Sequence, residues 1–144
     1  MAAGQARTIV GYTSGVYDLF HVGHLNLLRR ASEQCDRLVV AVTTDELSLA
    51  AKGKTPVIPY AERAEIVAHL RFVDEVVPQT NMNKFDAWER VHFDRMFVGD
   101  DWKGTEKWNQ LEAEFATRGV EIVYFPYTTH TSSTLLRAAL SKMA

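Results

Sequence analysis

Five short β-rich runs alternate with stretches of helical period along nearly the whole chain, and this alternation limits the fold more than any other feature. The runs are Thr8–Thr13, Arg37–Thr43, Phe72–Val77, Arg95–Val98 and Val120–Phe125. The helical stretches are Val22–Glu33, Tyr60–Leu70, Phe85–Val91, Glu106–Arg118 and Ser132–Met143. Leu38 to Val42 and Ile122 to Phe125 are almost continuously apolar, as strands covered on both faces of a sheet are. Thr43 and Glu46 have capping-box spacing before a further short helix, and Gly119 after Arg118 marks a helix stop. The expected fold is therefore α/β, a doubly wound parallel sheet of five strands with right-handed crossovers. A ligand on such a sheet binds outside the carboxyl ends of the strands.

At 144 residues the chain is expected to form one domain, 1–144. Its 16 Lys+Arg against 18 Asp+Glu give a net charge of −2, which argues against a nucleic-acid or anionic-membrane partner. The single cysteine, Cys35, excludes a disulfide framework and a cysteine-rich zinc site. No apolar run approaches the roughly 18 residues of a spanning helix. Met1–Arg7 is too short and polar for a secretory signal, so a soluble cytoplasmic protein is expected.

The segment richest in chemistry is Gly15-Val16-Tyr17-Asp18-Leu19-Phe20-His21-Val22-Gly23-His24, which leaves the first strand and opens the first helix. Gly15 would let a ligand approach the strand end, and Gly23 would keep the turn open. His21 and His24, three apart, fall on one face of the first helical turn. Exposed amides and the positive dipole end of the helix favour an anion there, and imidazoles can donate to phosphate oxygens. The plainer alternative is that one histidine caps the helix and the other fills a gap. Zinc needs a third ligand beside the pair, and His69, His92 and His130 are scattered, so no metal is assigned to protein side chains.

H-x-G-H after a first strand resembles the nucleotidylyltransferase superfamily. The similarity is to the glycerol-3-phosphate cytidylyltransferases in particular, from about Tyr12 to Leu136. It is carried by Tyr17 to Ala31, Thr44-Asp45-Glu46, Lys52-Gly53-Lys54, Tyr60, Arg63, Arg71 to Pro78 and Val98-Gly99-Asp100-Asp101-Trp102. The resemblance implies a Rossmann-like nucleotidylyltransferase fold. It implies nucleotide contacts at Val16, Tyr17, His21, His24, Lys54, Asp101, Tyr127, Thr128, Thr131, Ser132, Ser133 and Thr134. Lys52, Arg63, Arg71 and Lys84 are expected to meet the acceptor. A homodimer is also implied, with Arg71–Pro78 near its interface.

The cations have a physical reading too. A triphosphate and a phosphorylated acceptor together need several cations in one cleft. Trp102 is expected to lie over the core as a lid, and Trp88 and Trp108 to pack helix faces. The hydroxyl run Thr128 to Thr134 supplies caps or a phosphate cradle before the last helix. Here the chain departs from the cytidylyltransferase pattern. Tyr127 stands for an arginine and His130 for a glycine, and Ser132-Ser133-Thr134-Leu135-Leu136-Arg137 has the Ser-Ser-Thr-x-x-Arg form of several adenylyltransferases.

The expected reaction is attack of an acceptor phosphate oxygen on the α-phosphorus of CTP, with Mg²⁺ on the triphosphate and pyrophosphate as leaving group. A phosphomonoester has a second pKa of about 6 and needs no general base at neutral pH. His21, His24 and Lys54 are the expected catalytic residues, stabilising charge at the phosphoryl group. The alternatives are an adenylyltransferase using ATP on another small phosphate and a nucleotide-binding module with weak turnover.

Overall fold

A computed structural model describes residues 7–126 and 133–143. Its centre is a five-stranded, wholly parallel sheet in the order β3-β2-β1-β4-β5. The strands are β1 (Val10–Gly15), β2 (Arg37–Thr43), β3 (Glu75–Gln79), β4 (Arg95–Gly99) and β5 (Glu121–Phe125). The helices are α1 (Val22–Ser32), α2 (Asp45–Lys52), α3 (Tyr60–Ala68), α4 (Lys84–Val91), α5 (Glu106–Ala116) and α6 (Ser133–Met143). The α/β class and parallel five-stranded sheet are as the sequence predicts.

The continuous apolar run of β2 divides by side-chain alternation between two cores. Leu38, Val40 and Val42 face Leu28 and Ala31 of α1 and Val67 of α3, with Phe97 and Phe125. Val39 and Ala41 face the opposite layer, built from Tyr12, Met96, Phe93, Trp108 and Phe115. A strand buried on both faces cannot show the polar alternation of a half-exposed one, which explains its pattern.

Some boundaries move. The third strand begins at Glu75 rather than Phe72, because Phe72 and Val73 pack onto the first core from the turn before it. β1 runs on to Gly15, paired with Val42. The predicted cap shifts by one residue: Thr43 ends β2 with its hydroxyl on Gln79 Oε1 (2.7 Å), and Thr44 caps α2 by accepting from Leu47 N (3.1 Å). Gly119 ends α5 as expected. It is left-handed (φ +75°), with its amide on Ala116 O (3.1 Å) and Val120 N on Phe115 O (2.9 Å), the two bonds of a Schellman turn.

Strands β1 and β4, which start connections in opposite directions across the sheet, both end in glycine, Gly15 and Gly99. Between their carboxyl ends the strand order reverses, the switch point at which open α/β sheets bind ligands.

Candidate active site

The loop from β1 to α1 carries left-handed backbone at two residues with side chains, Tyr17 (φ +55°) and Leu19 (φ +52°). Such conformations cost about 1–3 kcal/mol each and persist only where the surroundings hold them. Gly15 is part of that hold, for a reason other than ligand approach. A Cβ at residue 15 would come within 2.9 Å of the Tyr17 ring, so the ring requires glycine. Tyr17 is itself buried in the first core, and burial pushes its phenol well above the ordinary range. Its side chain is packing, which corrects the expectation that it contacts nucleotide.

His21 is the N-cap of α1. Its Nδ1 accepts from Gly23 N (3.0 Å), while its own amide donates to Nδ1 of His24 (3.2 Å). The two imidazoles thus form a reciprocal capping box, and their rings stack with centroids 4.0 Å apart. The capping alternative therefore holds for His21, and His24 bonds back to the cap rather than filling a gap. A ring nitrogen that accepts from an amide carries no proton, so each neutral histidine bears its proton on Nε2. Burial and the neighbouring His21 lower His24 to about 4, and burial lowers His21 as well. At neutral pH the pair consists of two uncharged donors in fixed tautomers.

Asp18 and Arg63 hold this turn in place. Asp18 is 2% exposed; its carboxylate accepts from Val57 N (2.8 Å), Ile58 N (2.9 Å) and Arg137 Nη2 (2.8 Å). Its burial would raise the carboxyl pKa, but the two amides and Arg137 together bring it below the ordinary value. Arg63 is 1% exposed. It donates to Ile58 O (2.7 Å), Val16 O (2.7 Å), Thr43 O (2.8 Å) and Asp45 Oδ1 (2.5 Å). With its fork consumed by three carbonyls and a carboxylate, Arg63 cannot serve an acceptor phosphate, contrary to expectation. Val16 enters the framework through its carbonyl. Arg71 is exposed in the turn after α3, at the amino edge of β3. Arg63 is bonded to Thr43 O at the carboxyl end of β2, whereas Arg71 precedes β3, so the two lie toward opposite edges of the sheet.

The lysines do converge. Lys52 ends α2, Lys54 follows the left-handed Gly53 (φ +70°), and Lys84 opens α4. Burial, with Lys54 and Arg137 nearby, lowers Lys52; burial, with Lys107 and Lys52 nearby, lowers Lys84. Among the described residues, none of Lys52, Lys54 and Lys84 has an acidic partner. Neighbouring ammonium groups without counter-charges repel one another, and an anion between them would relieve that repulsion. Lys107 was not foreseen, since its spacing from Glu106 and Trp108 reads as an ordinary helix face.

Asp101 is exposed in the 3-10 turn Asp100–Trp102 that ends β4 beside β1. Trp102 is 51% exposed and is therefore no lid over the core. Trp108 is buried, and Trp88 donates to Phe93 O (3.2 Å), so both pack as expected. Ser133 Oγ donates to Asp18 O (2.6 Å), which makes it part of the framework, and Thr134 is exposed beside it. Tyr127, Thr128, His130, Thr131 and Ser132 lie outside the described residues. No group of three or more His, Cys, Asp or Glu suited to a metal occurs among the described residues. No helix among them is long and apolar enough to cross a membrane.

Residues 12–139 match the family model described as cytidylyltransferase-like. The chain is 37% identical over 131 residues to the glycerol-3-phosphate cytidylyltransferase of Bacillus subtilis, covering 90% of this chain and 95% of that one. It is 34% identical over 116 residues to the FAD synthase of Thermococcus sibiricus, covering 80% and 78%. A lipopolysaccharide core biosynthesis protein from Thermoplasma volcanium has the same fold, with a TM-score of 0.70 at 23% identity over 87% of this chain and all of that one.

Proposed function

The chain belongs to the cytidylyltransferase-like family and is a nucleotidyltransferase, and from that premise we propose that it transfers CMP from CTP to glycerol 3-phosphate or a similar small alcohol phosphate. The observation that carries the reading is the capping box, which leaves Nε2–H as the remaining ring donor of two neutral imidazoles at a helix N-terminus, in a loop that Asp18 ties to the segment just after Lys54.

In the proposed reaction an acceptor phosphate oxygen forms a bond to the α-phosphorus of CTP. The bond from that phosphorus to the bridging oxygen breaks, and pyrophosphate leaves with its electron pair. No proton has to be removed from the attacking dianion, so the site's task is alignment and charge stabilisation. His21 and His24 donate to α-phosphoryl oxygens, Lys54 holds the nucleotide phosphates, and Lys52 and Lys84 hold the acceptor phosphate. These N–H and ammonium donors suit phosphate oxygens rather than a metal. They fit a Mg²⁺ ion carried by the triphosphate, where it would neutralise charge on the leaving group. The protein is proposed to work in the cytoplasm as a homodimer. The dimer face would lie along edge strand β3, beside a groove of about 370 Å³ between β3 and α4.

A second reading, transfer of AMP from ATP, draws on the Ser-Ser-Thr-x-x-Arg tail ending at Arg137 and on the likeness to an FAD synthase. A screen of pyrophosphate release, pairing four nucleoside triphosphates with a panel of small phosphates, decides between them. CTP with glycerol 3-phosphate or a close analogue is expected to be fastest. Preference for ATP would replace the first reading by the second, and nucleotide binding without release by any pair would sink both.

A further inference from the structure

Helix α6 grips the β1–α1 loop at two points on one of its faces. Ser133 Oγ donates to the main-chain oxygen of Asp18 (2.6 Å), and Arg137, one turn on, donates from Nη2 to Asp18 Oδ2 (2.8 Å). The same Oδ2 accepts from Val57 N (2.8 Å), and Oδ1 accepts from Ile58 N (2.9 Å). Asp18 precedes His21 by three residues, and Lys54 precedes Val57 by three, a reach of at most about 10 Å. The lysine is tethered on its other side as well, since Ser48 Oγ donates to Lys54 O (2.8 Å). The Asp18 carboxylate is therefore the joint between the histidine turn and the lysine loop, and Arg137 supplies its counter-charge.

We infer that Arg137 is a positioning residue. It acts through Asp18, holding residues 54–58 and with them Lys54 against the His21–His24 turn, and it does not itself touch substrate. Its side chain is 31% exposed against 2% for Asp18, so one end of the pair is fixed inside the framework and the arginine closes it from outside. Arg63 ties the same loops from the other side through Val16 O and Ile58 O. With Arg137 removed, Asp18 keeps its two amides but loses its counter-charge, and the lysine loop loses its register with the histidines. The inference rests on the nucleotidyl-transfer reading for its kinetic signature but not for its structural one.

The test uses the full chain as wild type, R137Q, R137K, D18N and the double variant D18N/R137Q. Steady-state kinetics use CTP and glycerol 3-phosphate, and hydrogen exchange is followed at the amides of Val57 and Ile58. In R137Q, kcat is expected to fall about tenfold while both Michaelis constants stay within about threefold, the pattern of lost transition-state alignment. R137K should restore most of the loss. The double variant should be no slower than D18N alone, because the two residues act as one unit. Exchange at residues 57 and 58 should quicken in R137Q while the sheet amides stay protected. A tenfold rise in the CTP Michaelis constant at unchanged kcat, or additive losses in the double variant, would mean that Arg137 holds phosphate directly and would overturn the inference. Unchanged exchange at residues 57 and 58 in R137Q would overturn it too. If the wild type turns over no substrate pair, the functional reading fails, and the exchange comparison alone then decides for or against the joint.

Discussion

Arg63 offers the sharpest separation between what its position in the sequence suggests and what its surroundings impose. Replacing it by methionine keeps much of the volume but removes every donor. Three main-chain oxygens, of Val16, Thr43 and Ile58, then lose their partners, and Asp45 loses its counter-ion. A buried acceptor left unsatisfied costs about 1–3 kcal/mol. Partial access of water to the two part-buried oxygens puts the sum at roughly 3–6 kcal/mol. Asp45 is 32% exposed and can rehydrate, so it adds little. Against a typical domain stability of about 5–15 kcal/mol, the variant should fold but melt early. At about 3 °C per kcal/mol for a chain of this size, R63M should lose roughly 10–20 °C in melting temperature. R63K, which retains the charge but not the planar fork, should lose about half as much. Calorimetric melts, together with acceptor Michaelis constants measured well below the transition, provide the assay. A melting temperature within about 3 °C of wild type, with only the acceptor constant raised, would refute the framework role and restore Arg63 as a substrate ligand.

H21N keeps a good N-cap while deleting the Nε2–H donor; turnover should fall about 10²–10³-fold with little change in melting, and a loss under tenfold would remove His21 from the chemistry. K54A should raise the Michaelis constant for nucleotide more than that for acceptor, and K52A the reverse; equal effects on both substrates in both variants would show the division to be wrong. The histidine His24, lowered to about 4 by burial and by His21, takes up its proton in the unfolded chain first, near 6.5. Its contribution to stability is therefore complete above about 6.5 and is lost as the pH falls through its folded value. Asp18, also lowered, adds a further loss below the ordinary carboxylate range. Melting temperatures measured from pH 4 to 8 should be flat above about pH 7 and decline below 6.5, and an unchanged value at pH 4.5 would contradict the shift.

The sheet was legible because β2 is covered on both faces and so carries an unbroken apolar run, while Gly119 and the Thr43/Glu46 spacing placed helix ends to within a residue. The histidine pair was legible because strand, glycine and helix start form one local unit. Arg63 was misread because a sequence shows the charge of an arginine but not what will surround it. Three main-chain oxygens brought together from residues 16, 43 and 58 leave no local trace. Phe72 was misread for a related reason, since an apolar residue packing from a turn has the same composition as one in a strand. The joint at Asp18 depends on contacts 39 to 119 residues apart, which no local spacing encodes.

The capping box at His21 and His24 makes the start of α1 and the readiness of its two donors a single event. The main chain sets each tautomer when the first helical turn nucleates, before any nucleotide arrives, so little reorientation remains for binding to supply. In the proposed reaction the rate is thereby exposed to a class of damage that touches no substrate. Anything that frays the first turn of α1 frees the Nδ1 atoms to take up the proton, and the rings can then present a lone pair where a donor is required. Substitutions confined to that turn should therefore slow turnover in proportion to fraying, even when every residue in contact with substrate is intact.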